Sequence, residues 1–219
     1  MKLSKFTHLV KRTGMCTVLH VSGDGVWLGT RAAFYKAAGM PNITGDAEVA
    51  TVLDFDIKTR EKIYIEHQYC EGTHNILGFD LTENAQLDIE ASKMPMAAVW
   101  HGSVASALLC NDGELVFYDE SYLAPLSDVF KESDYVSTVV RRTAKGTRYV
   151  VIKDGFEVLA AIMPMKIIGE DFLRDLATFE KRCIEQFSRD HAEGSYTVNE
   201  DGEIIEPGQI SLTKTEGEV

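Results

Sequence analysis

The sequence predicts an α+β fold, with mainly antiparallel β-hairpins opened by an N-terminal amphipathic helix and followed by a long C-terminal helix. Three observations carry this. Asp-Gly turns recur four times, at 24–25, 112–113, 154–155 and 201–202, mostly between short runs of β-branched and aromatic residues. Apolar residues repeat with helical period at 3, 6, 9 and 10, and again at 172, 173, 176, 179, 183 and 187. The 219 residues are 45% hydrophobic, which suffices for a packed core and lies outside the range of a disordered chain.

Taken in order, the first helix covers residues 3–13. Leu3, Phe6, Leu9 and Val10 share one face and Lys5, Lys11 and Arg12 lie outside it; Ser4 is placed to cap the start and Gly14 to end it in the left-handed conformation. Two strands, Cys16-Thr17-Val18-Leu19-His20-Val21 and Val26-Trp27-Leu28-Gly29-Thr30, then flank the turn Ser22-Gly23-Asp24-Gly25. Residues 31–38 read equally as a short helix or a third strand, ended by Gly39 and Pro41. Residues 46–70 are mixed. Asp46-Ala47-Glu48-Val49 resembles a capped helix start, whereas residues 52–57 and then Ile63, Ile65 and His67 alternate like strands.

Residues 77–91 alternate again through Leu77, Phe79, Leu81, Leu87 and Ile89. Ser103 is placed to cap a helix over 104–109. Asn111-Asp112-Gly113 leads into the strand-like Glu114-Leu115-Val116-Phe117-Tyr118. A basic link over 141–148 joins two strands at 136–140 and 149–152, and Lys153-Asp154-Gly155 turns the second into Phe156-Glu157-Val158-Leu159. The strongest helix signal spans 170–188. Its stripe of Phe172, Leu173, Leu176, Phe179, Cys183 and Phe187 leaves Arg174, Asp175, Glu180, Lys181 and Glu185 outside, with Glu170-Asp171 suited to the positive end of the helix dipole. These elements divide the chain into a helix-plus-hairpin part (1–93), a second β-rich part (94–168), the C-terminal helix (169–190) and an acidic, flexible tail (191–219). The tail holds at most a marginal hairpin around residues 196–205.

Charge narrows the classes of function. The net charge is −12, and half of it lies in residues 192–219, where seven acids stand against Lys214 alone. Residues 1–23 carry Lys2, Lys5, Lys11 and Arg12 and no acid. Such a balance disfavours casual binding to nucleic acid or anionic membranes. No apolar run approaches the roughly 20 residues needed to span a bilayer, and the opening Met1-Lys2-Leu3-Ser4-Lys5 lacks the apolar stretch of a secretory signal. A cytoplasmic protein is expected, with its four widely spaced cysteines as free thiols among apolar residues.

One local cluster has metal-ligating residue types. His67, Cys70 and His74 in His67-Gln68-Tyr69-Cys70-Glu71-Gly72-Thr73-His74 would give zinc three ligands, with Glu66, Glu71 or His101 as a fourth; the second Cys-x2-Cys half that would make the signal specific is absent. Ser103 lacks the second glycine of a nucleophile elbow, and there is no phosphate-binding Gly-rich loop. Asp54 and Asp56 read as acids on the wet face of a strand. With no complete catalytic set, the chain reads as non-catalytic and without a cofactor, zinc at His67, Cys70 and His74 being the alternative.

Two basic groups suit phosphate contacts, namely Lys2, Lys5, Lys11 and Arg12 on the first helix, and Arg141, Arg142, Lys145 and Arg148 on the β-link. Neither is interleaved with stacking aromatics, so single-strand readout is not indicated.

The run Leu159-Ala160-Ala161-Ile162-Met163-Pro164-Met165-Lys166-Ile167 resembles the closing strand of bacterial sliding clamps. The opening Met1-Lys2-Leu3-Ser4-Lys5 and the helix-to-hairpin order resemble the start of T-even phage clamps, and Met94-Pro95-Met96 lies where a two-domain clamp passes between domains. The resemblance implies a DNA-replication accessory protein of a phage or other mobile element. It would be an acidic homo-oligomeric ring holding double-stranded DNA by topology, with Lys2, Lys5, Lys11 and Arg12 facing the phosphates. Two alternatives stand beside it: a small acidic factor that binds a host protein through the 170–188 stripe, and a metal-dependent enzyme built on His67, Cys70 and His74.

Overall fold

The computed structural model describes residues 1–40, 43–100, 102–192, 197–198 and 204–205. Helix α1 (Leu3–Thr13) buries Phe6, Leu9 and Val10 and ends at Gly14, whose φ of 70° lets its N–H reach Val10 O at 2.8 Å. The expected cap differs. Lys2 is the N-cap, held by its backbone N–H to Pro125 O at 2.7 Å, and Ser4 falls inside the first turn.

Strands β1 (Met15–Val21), β2 (Gly25–Gly29) and β3 (Ala33–Lys36) follow, so the open choice over 31–38 resolves as a strand. Helices α2 (Asp46–Val52) and α3 (Ile57–Arg60) precede β4 (Tyr64–Cys70). The alternation over 52–57 is therefore a turn between helices, marked by Asp54 at φ 51°. The remaining strands are β5 (Ile89–Trp100), β6 (Ser103–Cys110), β7 (Leu115–Asp119), β8 (Val136–Arg142), β9 (Arg148–Asp154) and β10 (Glu157–Ile162). A 3₁₀ segment (Glu120–Leu126) and the one-turn helix α4 (Val129–Glu132) join β7 to β8. The three Asp-Gly turns at 24–25, 112–113 and 154–155 each close a hairpin.

The ten strands make one sheet, ordered β4-β1-β2-β3-β10-β9-β8-β5-β6-β7. Every neighbouring pair is antiparallel except β1 and β4, which run parallel from Met15 opposite Tyr64 to Val21 opposite Cys70. Because strand side chains alternate between faces, the sheet carries two cores. Cys16, Val18, Leu28, Tyr35, Val150 and Ile152 pack with α1 on one face. Leu19, Trp27, Phe34, Tyr149 and Val151 pack on the other, beneath Ile76, Phe79 and Leu81. A bulge between Val158 and Ala160 puts Val158 and Ala161, three apart, on that same second face.

Two sequence expectations fail for physical reasons. Residues 77–87 contain no strand; Leu77 (φ 53°) and Gly78 (φ 90°) make a tight turn under a single bridge, Ile76 to Phe79, that drops Ile76, Phe79 and Leu81 into the second core. Residues 104–109 are not a helix capped by Ser103. They are β6, paired on both sides by β5 and β7, where ladder contacts override the helix preference of its alanines and leucines.

Residues Met1–Lys166 form one compact unit and Ile167–Val219 a second. The division expected at 93/94 falls inside β5, whose register slips between Lys93 and Ala97, at Met94-Pro95-Met96. β5 pairs with β8 only at Ile89 and Glu90, so Pro95, which lacks an N–H, lies where β5 has no ladder to β8. The second unit contains helix α5 (Glu170–Ala192) and the short pair β11 (Thr197–Val198) with β12 (Ile204–Ile205). Residues 196 and 199–203 of the expected tail hairpin, the tail over 193–195 and 206–219, Pro41 and His101 lie outside the described residues.

Candidate functional site

The four cations expected on α1 separate into two pairs. Lys2 Nζ donates to Asp128 Oδ1 at 3.2 Å. Arg12 donates to Ser121 Oγ at 2.7 Å and Asp119 Oδ2 at 3.2 Å, and its guanidinium lies 5.1 Å from the centre of the Tyr122 ring. These two tie α1 to the segment after β7. Lys5 and Lys11 are exposed on the outward face, and His8, which sequence reading passed over, lies between them. Lys11 and Lys62 both help hold the Asp56 carboxyl below its usual range, after the dominant hydrogen bonds from Thr59, so the outward basic face extends toward α3.

The second basic group is turned inward. Arg141 is fully buried. It donates to Asp88 Oδ1 at 2.7 Å and to the carbonyls of Asp80 and Thr82 at 2.9 and 2.8 Å, while Lys153 reaches Asp88 Oδ2 at 2.6 Å. Tyr149 Oη exchanges hydrogen bonds with the Asp80 backbone at 2.9 and 3.0 Å, completing a latch on the strandless segment before β5. Arg148 is buried against Asp112 at 2.5 Å and Glu114, and Arg142 shares Asp112 at 3.1 Å. Of the four cations, Lys145 at the turn is the one left outside these networks. Sequence could not separate these cases, because an arginine reads alike whether its partner is a phosphate or a carboxylate brought from 28–53 residues away.

His67, Cys70 and His74 are not brought together. His67 and Cys70 stand three apart on β4 and so face opposite sides of the sheet. Cys70 packs against the second core, and His74 lines a polar hollow with Asp24, Lys36 and Glu83. Among the described residues no group of three or more His, Cys, Asp or Glu side chains is arranged to hold a metal ion.

His67 instead joins His20 of β1 at 3.2 Å and Asp46 of α2 at 3.2 Å. Asp46 only accepts, so His67 donates to it from Nε2–H, leaving Nδ1 facing His20 Nε2. Tyr69 stacks on His20 with ring centres 4.6 Å apart, at the edge of a shallow cleft of about 530 Å³ that also reaches Val26, Cys70 and Glu71. Burial, and then His67, lowers the His20 pKa from 6.5. The chain Asp46–His67–His20 ties α2 to the sheet. The buried thiol of Cys16 is pushed up to about 12, and burial also raises Cys70 and Cys110.

Helix α5 is the remaining candidate. It runs for 23 residues, beyond the expected 188, and most of its stripe is exposed, with Leu173 at 53%, Leu176 at 44%, Phe179 at 65%, Ile184 at 58% and Phe187 at 63%, while Phe172 is half-buried. Ile184 was not assigned to the stripe from sequence, yet it extends the face beside Cys183, which is also exposed. Its charges pair along the helix, Arg174 with Asp171 at 2.7 Å and Lys181 with Glu185 at 3.9 Å.

Comparison with known protein families, curated proteins and solved structures returns no match for this chain. Function therefore has to be argued from these surfaces. No described helix is long and apolar enough to cross a membrane.

Proposed function

We propose that this chain is a non-catalytic interaction protein, in which residues 1–166 are a compact α+β unit and α5 presents the surface that binds another protein. The observation that carries this is the run of large apolar side chains exposed along one helix, Leu173, Leu176, Phe179 and Ile184. Contiguous apolar surface of that kind marks an association site, and helices in proteins draw most of their stability from packing such a face. The polar side of α5 mixes acids and bases rather than presenting a basic face, which favours a protein over an anionic lipid surface. In the double variant Leu176→Asp/Phe179→Asp, the protein partner held by the wild type should be lost while the sheet's unfolding is unchanged. A wild type that stays a single chain and holds no protein contradicts the reading.

A second reading, a clamp-like accessory protein on double-stranded DNA, is favoured by the outward face of Lys5, His8 and Lys11. It rests on fewer free cations than the sequence offers, since Lys2 and Arg12 are engaged by Asp128 and Asp119. Under it, Lys5→Glu/Lys11→Glu should weaken association with duplex DNA uniformly across sequences and flatten its salt dependence. Unchanged association would remove it.

A further inference from the structure

We infer that the partner covering α5 is a second copy of α5, packed antiparallel; this rests on the reading of α5 as the association surface. The stripe Phe172, Leu176, Phe179, Cys183 advances by four, three and four residues, the spacing of a coiled-coil seam. It is nearly symmetric about a point between residues 179 and 180. A two-fold axis there sets Leu176 of one copy against Cys183 of the other and Phe172 against Phe187, so that both copies use the same patch, as a closed dimer requires.

Charge selects the orientation. Residues 170–180 carry Glu170, Asp171, Asp175 and Glu180 against Arg174, whereas residues 181–190 carry Lys181, Arg182 and Arg189 against Glu185 and Asp190. Antiparallel helices lay each acidic half along the other's basic half, while parallel helices would align four acids with the same four acids. The opposed dipoles of antiparallel helices act in the same direction. A seam about 35 Å long and about 10 Å wide covers about 350 Å² on each copy, below the usual size of a stable interface, so the dimer forms only as concentration rises and is not an obligate assembly.

Cys183 reports the geometry. In the antiparallel register it stands seven residues, about 10 Å along the axis, from its counterpart, too far for a disulfide. In a parallel pair the two thiols meet. The test measures native mass by light scattering on the full chain from micromolar to hundreds of micromolar, with diamide cross-linking of wild type and L176C. The expected result is a mass rising from one to two chains. L176C should be cross-linked through Cys183 of the second copy, wild type should remain largely unlinked, and Phe179→Asp should weaken association by at least about 30-fold. Wild type that cross-links as readily as L176C has parallel helices, which overturns the inference and leaves α5 as an association surface. A single-chain mass throughout, with L176C unlinked, also overturns it. The broader reading then survives only if a different protein is bound in a Phe179-dependent way, and otherwise both fall.

Discussion

Helices α1 and α5 follow the same sequence rule and meet opposite fates. Both place apolar residues at three- and four-residue spacing with charges outside. In α1 the stripe is closed against the sheet, with Phe6 and Val10 at 0% exposure, whereas in α5 Phe179 stands 65% exposed. Periodicity states that a face must be covered; it does not state by what. The difference is visible in what surrounds each helix. α1 is followed at once by the β1–β2 hairpin and is tied at both ends, by Lys2 to Pro125 and Asp128 and by Arg12 to Asp119 and Ser121. In α5, Arg174 pairs with Asp171 and Asp175, and Lys181 with Glu185, along the helix itself.

That contrast breaks most cleanly with matched truncations. Phe6→Ala should destabilise the sheet unit by about 3–5 kcal/mol, because it removes a wholly buried ring from a close-packed site. Phe179→Ala should leave the same urea transition within about 0.5 kcal/mol and act on association alone. Equal effects of the two would mean that the helices do not differ in the way described.

Arg141→Met tests whether the arginines of the β8–β9 hairpin are structural rather than a binding patch. The change leaves Asp88 with Lys153 alone and takes the arginine donor from the carbonyls of Asp80 and Thr82, at a cost of about 3 kcal/mol by chemical denaturation. A near-neutral result would free Arg141 for another role.

A smaller effect is set by pH. The His20 pKa is lowered from 6.5 in the folded chain, so between that value and its folded value the unfolded chain binds more protons. Stability therefore falls as pH drops below about 6.5. It should fall less steeply in His20→Asn, compared as melting temperatures on either side of that pH.

The sequence exposed the hairpins well, because an Asp-Gly turn between β-branched runs is local information; Asp24-Gly25, Asp112-Gly113 and Asp154-Gly155 each close one. α1 was legible down to its Gly14 stop. What failed was non-local. The strand at β6 exists because β5 and β7 flank it, and the parallel β1–β4 pair, which brings His20 to His67, joins residues 47 apart. The same applies to the sites. The spacing of His67, Cys70 and His74 suggested a ligand set, but the pleat of β4 sends the first two to opposite faces. Arg141 and Arg148 read as basic surface until Asp88 and Asp112 arrived across the sheet. The stripe on α5 was legible, and its exposure was not.

The most direct test of α5 as an association surface is hydrogen exchange of its backbone amides in the full chain, followed against protein concentration. We predict protection across residues 173–187 that grows with concentration and is lost in Leu176→Asp/Phe179→Asp, while β9 and β10 exchange slowly in both. Rapid exchange of α5 at every concentration, identical in wild type and variant, would contradict the account.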